Sequence, residues 1–96
     1  MGQLTRNSTV VVGTAQVEVL AENFDRTAFY ITNTGGAAVT LVKGNAAAAV
    51  GAGIVLQPNN TWFESKSEGF QCWQGRVQVI AAVAGSVGVS ETLEPK

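Results

Sequence analysis

The stretch Arg26–Lys43, RTAFYITNTGGAAVTLVK, limits the possible folds more than any other part of the chain. Apolar and polar residues alternate in its first half, with Phe29 and Ile31 on one face and Tyr30 and Thr32 on the other. A period of two is the pattern of a half-buried strand. Asn33-Thr34-Gly35-Gly36 is rich in turn formers, and paired glycines supply the positive φ that a tight turn needs. Val39 and Leu41 then return on the apolar face. The spacing predicts one β-hairpin over Arg26–Lys43.

The rest of the chain has the same character. Residues 1–8 are polar apart from Leu4 and predict an extended arm ahead of one domain over 9–96. Thr9–Gly13 and Thr14–Leu20 are valine-rich, with Gly13 as a bend between them and Phe24 capping the core from the next loop. Gly44–Gly53 holds four consecutive alanines but is too short and glycine-bracketed for a stable helix, so it reads as a loop. Ile54–Gln57, Thr61–Ser65 and Phe70–Gln74 read as short strands, with Pro58-Asn59 central in a β-turn. Arg76–Ala84 is apolar on both faces and predicts a central strand. Gly85-Ser86 turns, Val87–Glu91 closes the sheet, and Leu93–Lys96 is a tail. Seven or eight strands with turn signals every 8–12 residues predict an all-β fold, a single antiparallel β-sandwich or barrel.

Composition excludes several activities. The chain has no histidine, which removes imidazole acid–base catalysis, Ser-His-Asp triads and histidine metal sites. Its one cysteine, Cys72, makes no internal disulfide and reads as a small buried hydrophobe. Glu64 and Glu68 flank a turn around Lys66, where charges are ordinarily solvated. The expectation is a protein that is not an enzyme and has no cofactor and no metal.

The charges are few and scattered: 6 basic, 7 acidic, net charge -1. Without a basic stripe there is no footprint for nucleic acid. Without a polybasic or amphipathic segment there is none for a membrane surface, and the apolar runs Gly44–Leu56 and Val77–Ser90 are too short to span one. The opening MGQLTRNSTV lacks the apolar core of a signal peptide, so synthesis in a reducing cytoplasm is expected. Ser, Thr, Asn and Gln number 26, twice the 13 charged residues, so the outer strand faces are mostly neutral. Interface cores are depleted of charge, and such a surface leans toward contact with other protein.

Trp62 and Phe63 are adjacent, so on a strand one faces inward and the other outward. Phe70 and Cys72 share a face opposite Trp73. Three readings of Trp62, Phe63, Trp73 and Tyr30 stand: cover by a sandwich edge or loop, a subunit interface, or a ligand platform for sugar or single-stranded nucleic acid.

Arg26–Asn33, Val39–Lys43, the Gly/Ala loop, Ile54–Pro58, Asn59–Phe63, Gln74–Ala82 and Val87–Glu91 follow one another in an order that resembles small virion proteins of tailed bacteriophages. In those proteins a strand with I-x-N (here Ile31–Asn33) precedes an L-x-P turn (Leu56–Pro58) and a final V-x-V-x-E strand (Val87–Glu91). Asn59 departs from the glycine that often follows the proline. The resemblance spans about Arg26 to Glu91. It implies a capsid decoration (cement) or head-fibre protein: a structural homotrimer or dimer, made in the host cytoplasm and carried on the virion. Such a protein binds the major capsid protein on the outside of the assembled lattice and stabilises it. On that reading Leu4, Thr5, Arg6 and Asn7 form a capsid-contact arm, and Trp62, Trp73, Ala47 and Ala48 a subunit or partner interface. Two alternatives remain: a receptor- or glycan-binding module of a phage tail or fibre, and a bacterial β-sandwich adaptor.

Overall fold

A computed structural model of the protein describes residues 3–67 and 70–94. Among them are eight strands and no helix: β1 (Leu4–Val12), β2 (Val17–Leu20), β3 (Arg26–Asn33), β4 (Val39–Lys43), β5 (Ile54–Leu56), β6 (Thr61–Ser65), β7 (Val77–Ala81) and β8 (Gly85–Leu93). They form two four-stranded antiparallel sheets packed as a sandwich. Sheet A has the order β1-β8-β3-β6 and sheet B the order β2-β7-β4-β5. Only one of the six pairings, β4 with β5, joins consecutive strands.

Alternation fixes which side of each strand is buried. Phe29, Ile31, Val87 and Val89 of sheet A meet Val39, Leu41, Val77 and Val79 of sheet B. Those eight side chains are the middle of the core, each 5% exposed or less. At roughly 1.5–3 kcal/mol for each large apolar side chain removed from water, they are the main favourable term in the fold.

The Arg26–Lys43 stretch departs from its hairpin expectation. Both strands form where expected, but β3 lies in sheet A and β4 in sheet B. The turn is therefore a crossover between layers. Asn33 pins it: its fully buried side-chain amide donates to the carbonyls of Ala37 (2.8 Å) and Leu56 (3.0 Å), and its Oδ1 accepts from Gly35 N–H (3.0 Å). Local alternation reports which face of a strand is apolar but not which strand lies beside it.

Other expectations shift as well. Residues 4–8 are no free arm: they are the first half of β1, paired along β8 in a continuous register from Leu4↔Leu93 to Val12↔Gly85. Met1 and Gly2 lie outside the described residues. Phe24 does not cap the core; it is 67% exposed. Phe70–Gln74 forms no strand, although Ser67 and Phe70 are bridged. Gly85 and Ser86 already belong to β8, an inner strand that runs on through Leu93. The β-turn at Pro58-Asn59 is present: Asn59 has φ 70 and Asn60 N–H donates to Gln57 O at 3.0 Å. This is the type II pattern, and Asn tolerates the positive φ. β7 is the expected inner strand, with all five residues buried.

Candidate interaction surface

The two outer faces of the sandwich are treated differently. On sheet B the alanine-rich loop folds back over the strands. Gln78 Nε2 donates to the carbonyls of Gly44 (3.2 Å) and Ala46 (3.0 Å). Gly51 N–H donates to Thr40 Oγ1 at 2.9 Å, and Ala48 N–H to Gln16 Oε1 at 2.7 Å. Thr40, Gln78 and Ile80 point outward from sheet B yet are buried beneath this loop. Gly53 makes the return possible, because a Cβ there would stand 2.4 Å from the Leu41 carbonyl oxygen. Ala47 is exposed and Ala48 half-buried, both on this side.

No loop covers sheet A's outer face among the described residues. The register places Thr5, Asn7, Thr9 and Val11 beside Thr92, Ser90, Gly88 and Ser86, then Ala28, Tyr30 and Thr32, then Ser65, Phe63 and Thr61. None of these fourteen residues is charged. Thr32 and Thr61 share a hydroxyl hydrogen bond of 2.8 Å across the strands. Tyr30 and Phe63 form the apolar centre. Their ring centroids are 5.2 Å apart with planes 14° apart, and they are 46% and 51% exposed. Stacked aromatic pairs hold a rigid shape at little entropic cost, and aromatics are enriched where protein surfaces meet.

The two tryptophans lie elsewhere. Trp62 points inward from β6 and Trp73 packs against the core from the loop before β7, both half-buried. Buried Glu64 ties them together. Its Oε2 accepts from Lys43 Nζ (2.9 Å) and Trp62 Nε1 (3.0 Å), and its Oε1 from the Trp73 backbone N–H (2.9 Å). The Lys43 ammonium also sits 5.6 Å from the Trp73 ring centroid. Burial pushes the Glu64 carboxyl upward, but the hydrogen bonds from Lys43, Trp73 and Trp62 and the Lys43 charge outweigh it and hold the group below its ordinary range. So Glu64 is not the solvated turn charge its position suggested; its proposed companion Glu68 lies outside the described residues.

A second polar cluster closes the same end of the sandwich. Arg26, wholly buried, pairs through Nε with Glu91 Oε2 at 2.7 Å. Its Nη1 donates to the carbonyls of Trp73 (3.1 Å) and Gly75 (2.9 Å), and its Nη2 to that of Ala21 (2.5 Å). Cys72 is buried between the clusters. Burial, then the Glu64 charge, push its thiol pKa up, so it stays protonated. These groups brace the loop before β7, and Glu91 also lines the cleft beside Arg6. Among the described residues no three or more Asp, Glu or Cys side chains are grouped to hold a metal.

The four residues of the expected arm divide between faces. Thr5 and Asn7 belong to the uncharged outer surface; Leu4 and Arg6 occupy the inward side of β1. Arg6 lines a cleft of about 370 Å³ with Ser8, Val19, Leu20, Val89 and Glu91, where β2 is too short to cover sheet A. Sequence reasoning named Tyr30 and Phe63 among the candidate aromatics but did not pair them, because the β3–β6 register brings these two together from more than thirty positions apart. No family model matches the chain, and no curated protein or solved structure is significantly similar to it.

Proposed function

We propose that the chain is a non-enzymatic structural protein that docks on an assembled protein lattice through sheet A's outer face. The outside of a bacteriophage capsid, built of the major capsid protein, is the concrete case, and the protein stabilises it. The observation that carries this reading is the uncharged fourteen-residue face centred on Tyr30 and Phe63. Docking there leaves no charge desolvated, which is the usual cost of burying a polar surface. The opposite face is already covered by the chain's own loop. The virion resemblance of Arg26–Glu91 supports the choice of lattice. A ligand that binds only the assembled shell stabilises it by mass action, about 2.7 kcal/mol per site at a hundred times Kd.

The receptor- or glycan-binding alternative has less support. Trp62 and Trp73 are committed to Glu64 and to the core. Tyr30 and Phe63 turn ring faces toward each other and do not lie side by side as a flat platform.

The test is co-sedimentation of the purified protein with undecorated phage capsids, followed by electron microscopy for symmetric added density. The wild-type chain is expected on the shell, and Tyr30→Ala/Phe63→Ala, folded by circular dichroism, is expected in the supernatant. Equal occupancy by both proteins, or by neither, sinks the proposal.

A further inference from the structure

The sandwich has four edge strands, and three carry the features that keep an edge from pairing with a foreign strand. β5 is three residues long. β2 is four residues long, carries Glu18, and is broken by a register shift between Glu18 and Leu20. β6 is five residues long, points Glu64 inward and runs into Lys66. Shortness, bulges and inward or flanking charges are the usual protections of an edge.

β1 has none of them except Arg6. It is nine residues long, contains no proline or lysine, and keeps an unbroken register along β8. Five of its residues, Thr5, Thr9 and Val10 to Val12, are β-branched, the type that favours extended backbone. Among the described residues no strand lies on its far side. In an antiparallel ladder alternate residues direct their N–H and C=O groups away from the partner, so about four or five of the nine present unpaired groups. Val11 is 78% exposed and Leu4 48%.

We propose that two copies of the chain pair antiparallel along β1, about a two-fold axis through Ser8. This register joins all nine residues. On the inward side Leu4 meets the partner copy's Val12, and Arg6 meets its Val10. On the outer side Thr5 meets Val11, and Asn7 meets Thr9. Each exposed apolar side chain gains a neighbour. The strand holds no acidic residue, and its one cation never faces its own copy: the two Arg6 positions are offset by four residues, about 13 Å along the strands. Each patch meets itself, as a closed two-fold dimer requires. A foreign strand satisfies the backbone equally well, but it has no reason to match this charge and apolar order; a second β1 does. The two sheets A become one of eight strands, and their uncharged outer faces become one surface. The dimer does not depend on what that surface binds.

The test uses Ser8, the residue that faces itself. Sedimentation equilibrium from micromolar to millimolar concentration is expected to give the wild-type chain about twice its 10.0 kDa mass. Ser8→Lys and Ser8→Glu each place like charges opposite one another and are expected to sediment as monomers, with near-ultraviolet circular dichroism unchanged because Ser8 is exposed. Mixed in equal amounts they are expected to form a Lys–Glu heterodimer, seen as the mixed mass in native mass spectrometry. A wild-type monomer at every concentration, a trimer, or variants that remain dimeric alone overturns the proposal, and so does a mixture with no heterodimer.

Discussion

Arg26 enters the sandwich through a β-bulge and meets Glu91 at 2.7 Å with its guanidinium closed to solvent. Without the register shift between Arg26 and Ala28, strand alternation would place Arg26 on the outer side with Ala28 and Tyr30. The bulge turns it inward, a recurrent use of the extra residue. Removing the partner of a buried charge costs about 3–5 kcal/mol, because the remaining ion has no compensation. Glu91→Ala is therefore expected to lower stability by that amount in urea denaturation, with the slope of the transition unchanged.

Glu64 gives the fold an acid-sensitive component. Its carboxyl titrates below the ordinary value of 4.5 when folded and near it when unfolded. Between those values the unfolded chain binds more protons, so acid favours unfolding. The contribution is complete above about pH 4.5 and is lost as pH falls through the lowered folded value. Comparing urea midpoints of wild type and Glu64→Gln across this range is expected to show the wild-type advantage shrinking as pH drops.

Cys72 is expected to be unreactive in the native state. It is buried and its thiol is held protonated, while thiolate is the reacting species. An aromatic disulfide reagent at mildly alkaline pH should label it only as fast as the chain opens, and at once in denaturant. Rapid native labelling would contradict this burial.

Gly53 is expected to tolerate no side chain. A Cβ there meets the Leu41 carbonyl at 2.4 Å, and that oxygen is backbone of an inner strand. Gly53→Ala should cost about 1–3 kcal/mol through forced backbone shifts. Hydrogen exchange should also show lost protection at Gly51 N–H, which donates to Thr40.

The Tyr30–Phe63 stack is expected to add little to folding. Both rings are about half exposed, and a double-mutant cycle to alanine should return a coupling of about 0.5–1.5 kcal/mol. A much larger value would make the pair a structural element.

The fold class was legible because alternation and turn chemistry are local. Phe29, Ile31, Val39 and Leu41 face the core as their spacing demands. What crosses between distant segments was not legible. The pairing of Leu4–Asn7 with β8, the passage from β3 to β4 between layers, and the meeting of Lys43, Glu64 and Trp73 each depend on strand neighbours that no local pattern encodes. The candidate surface was half visible. Tyr30 had to face outward, but the choice between Trp62 and Phe63 depended on Trp62 finding Glu64 as the partner for its indole N–H.

The strand order also bears on how the protein is made. β7 and β8 are inner strands of the two sheets, and both follow the other six in the chain. While a ribosome is still adding Val77–Leu93, the emerged chain can close only the β4–β5 hairpin and the β3–β6 ladder. β1 and β2 wait for partners not yet synthesised. Contacts so distant in sequence are slow to form, and waiting strand edges are open to other chains. The valine-rich end of β1 thus stays without its ladder partner until the last strand of the chain has emerged.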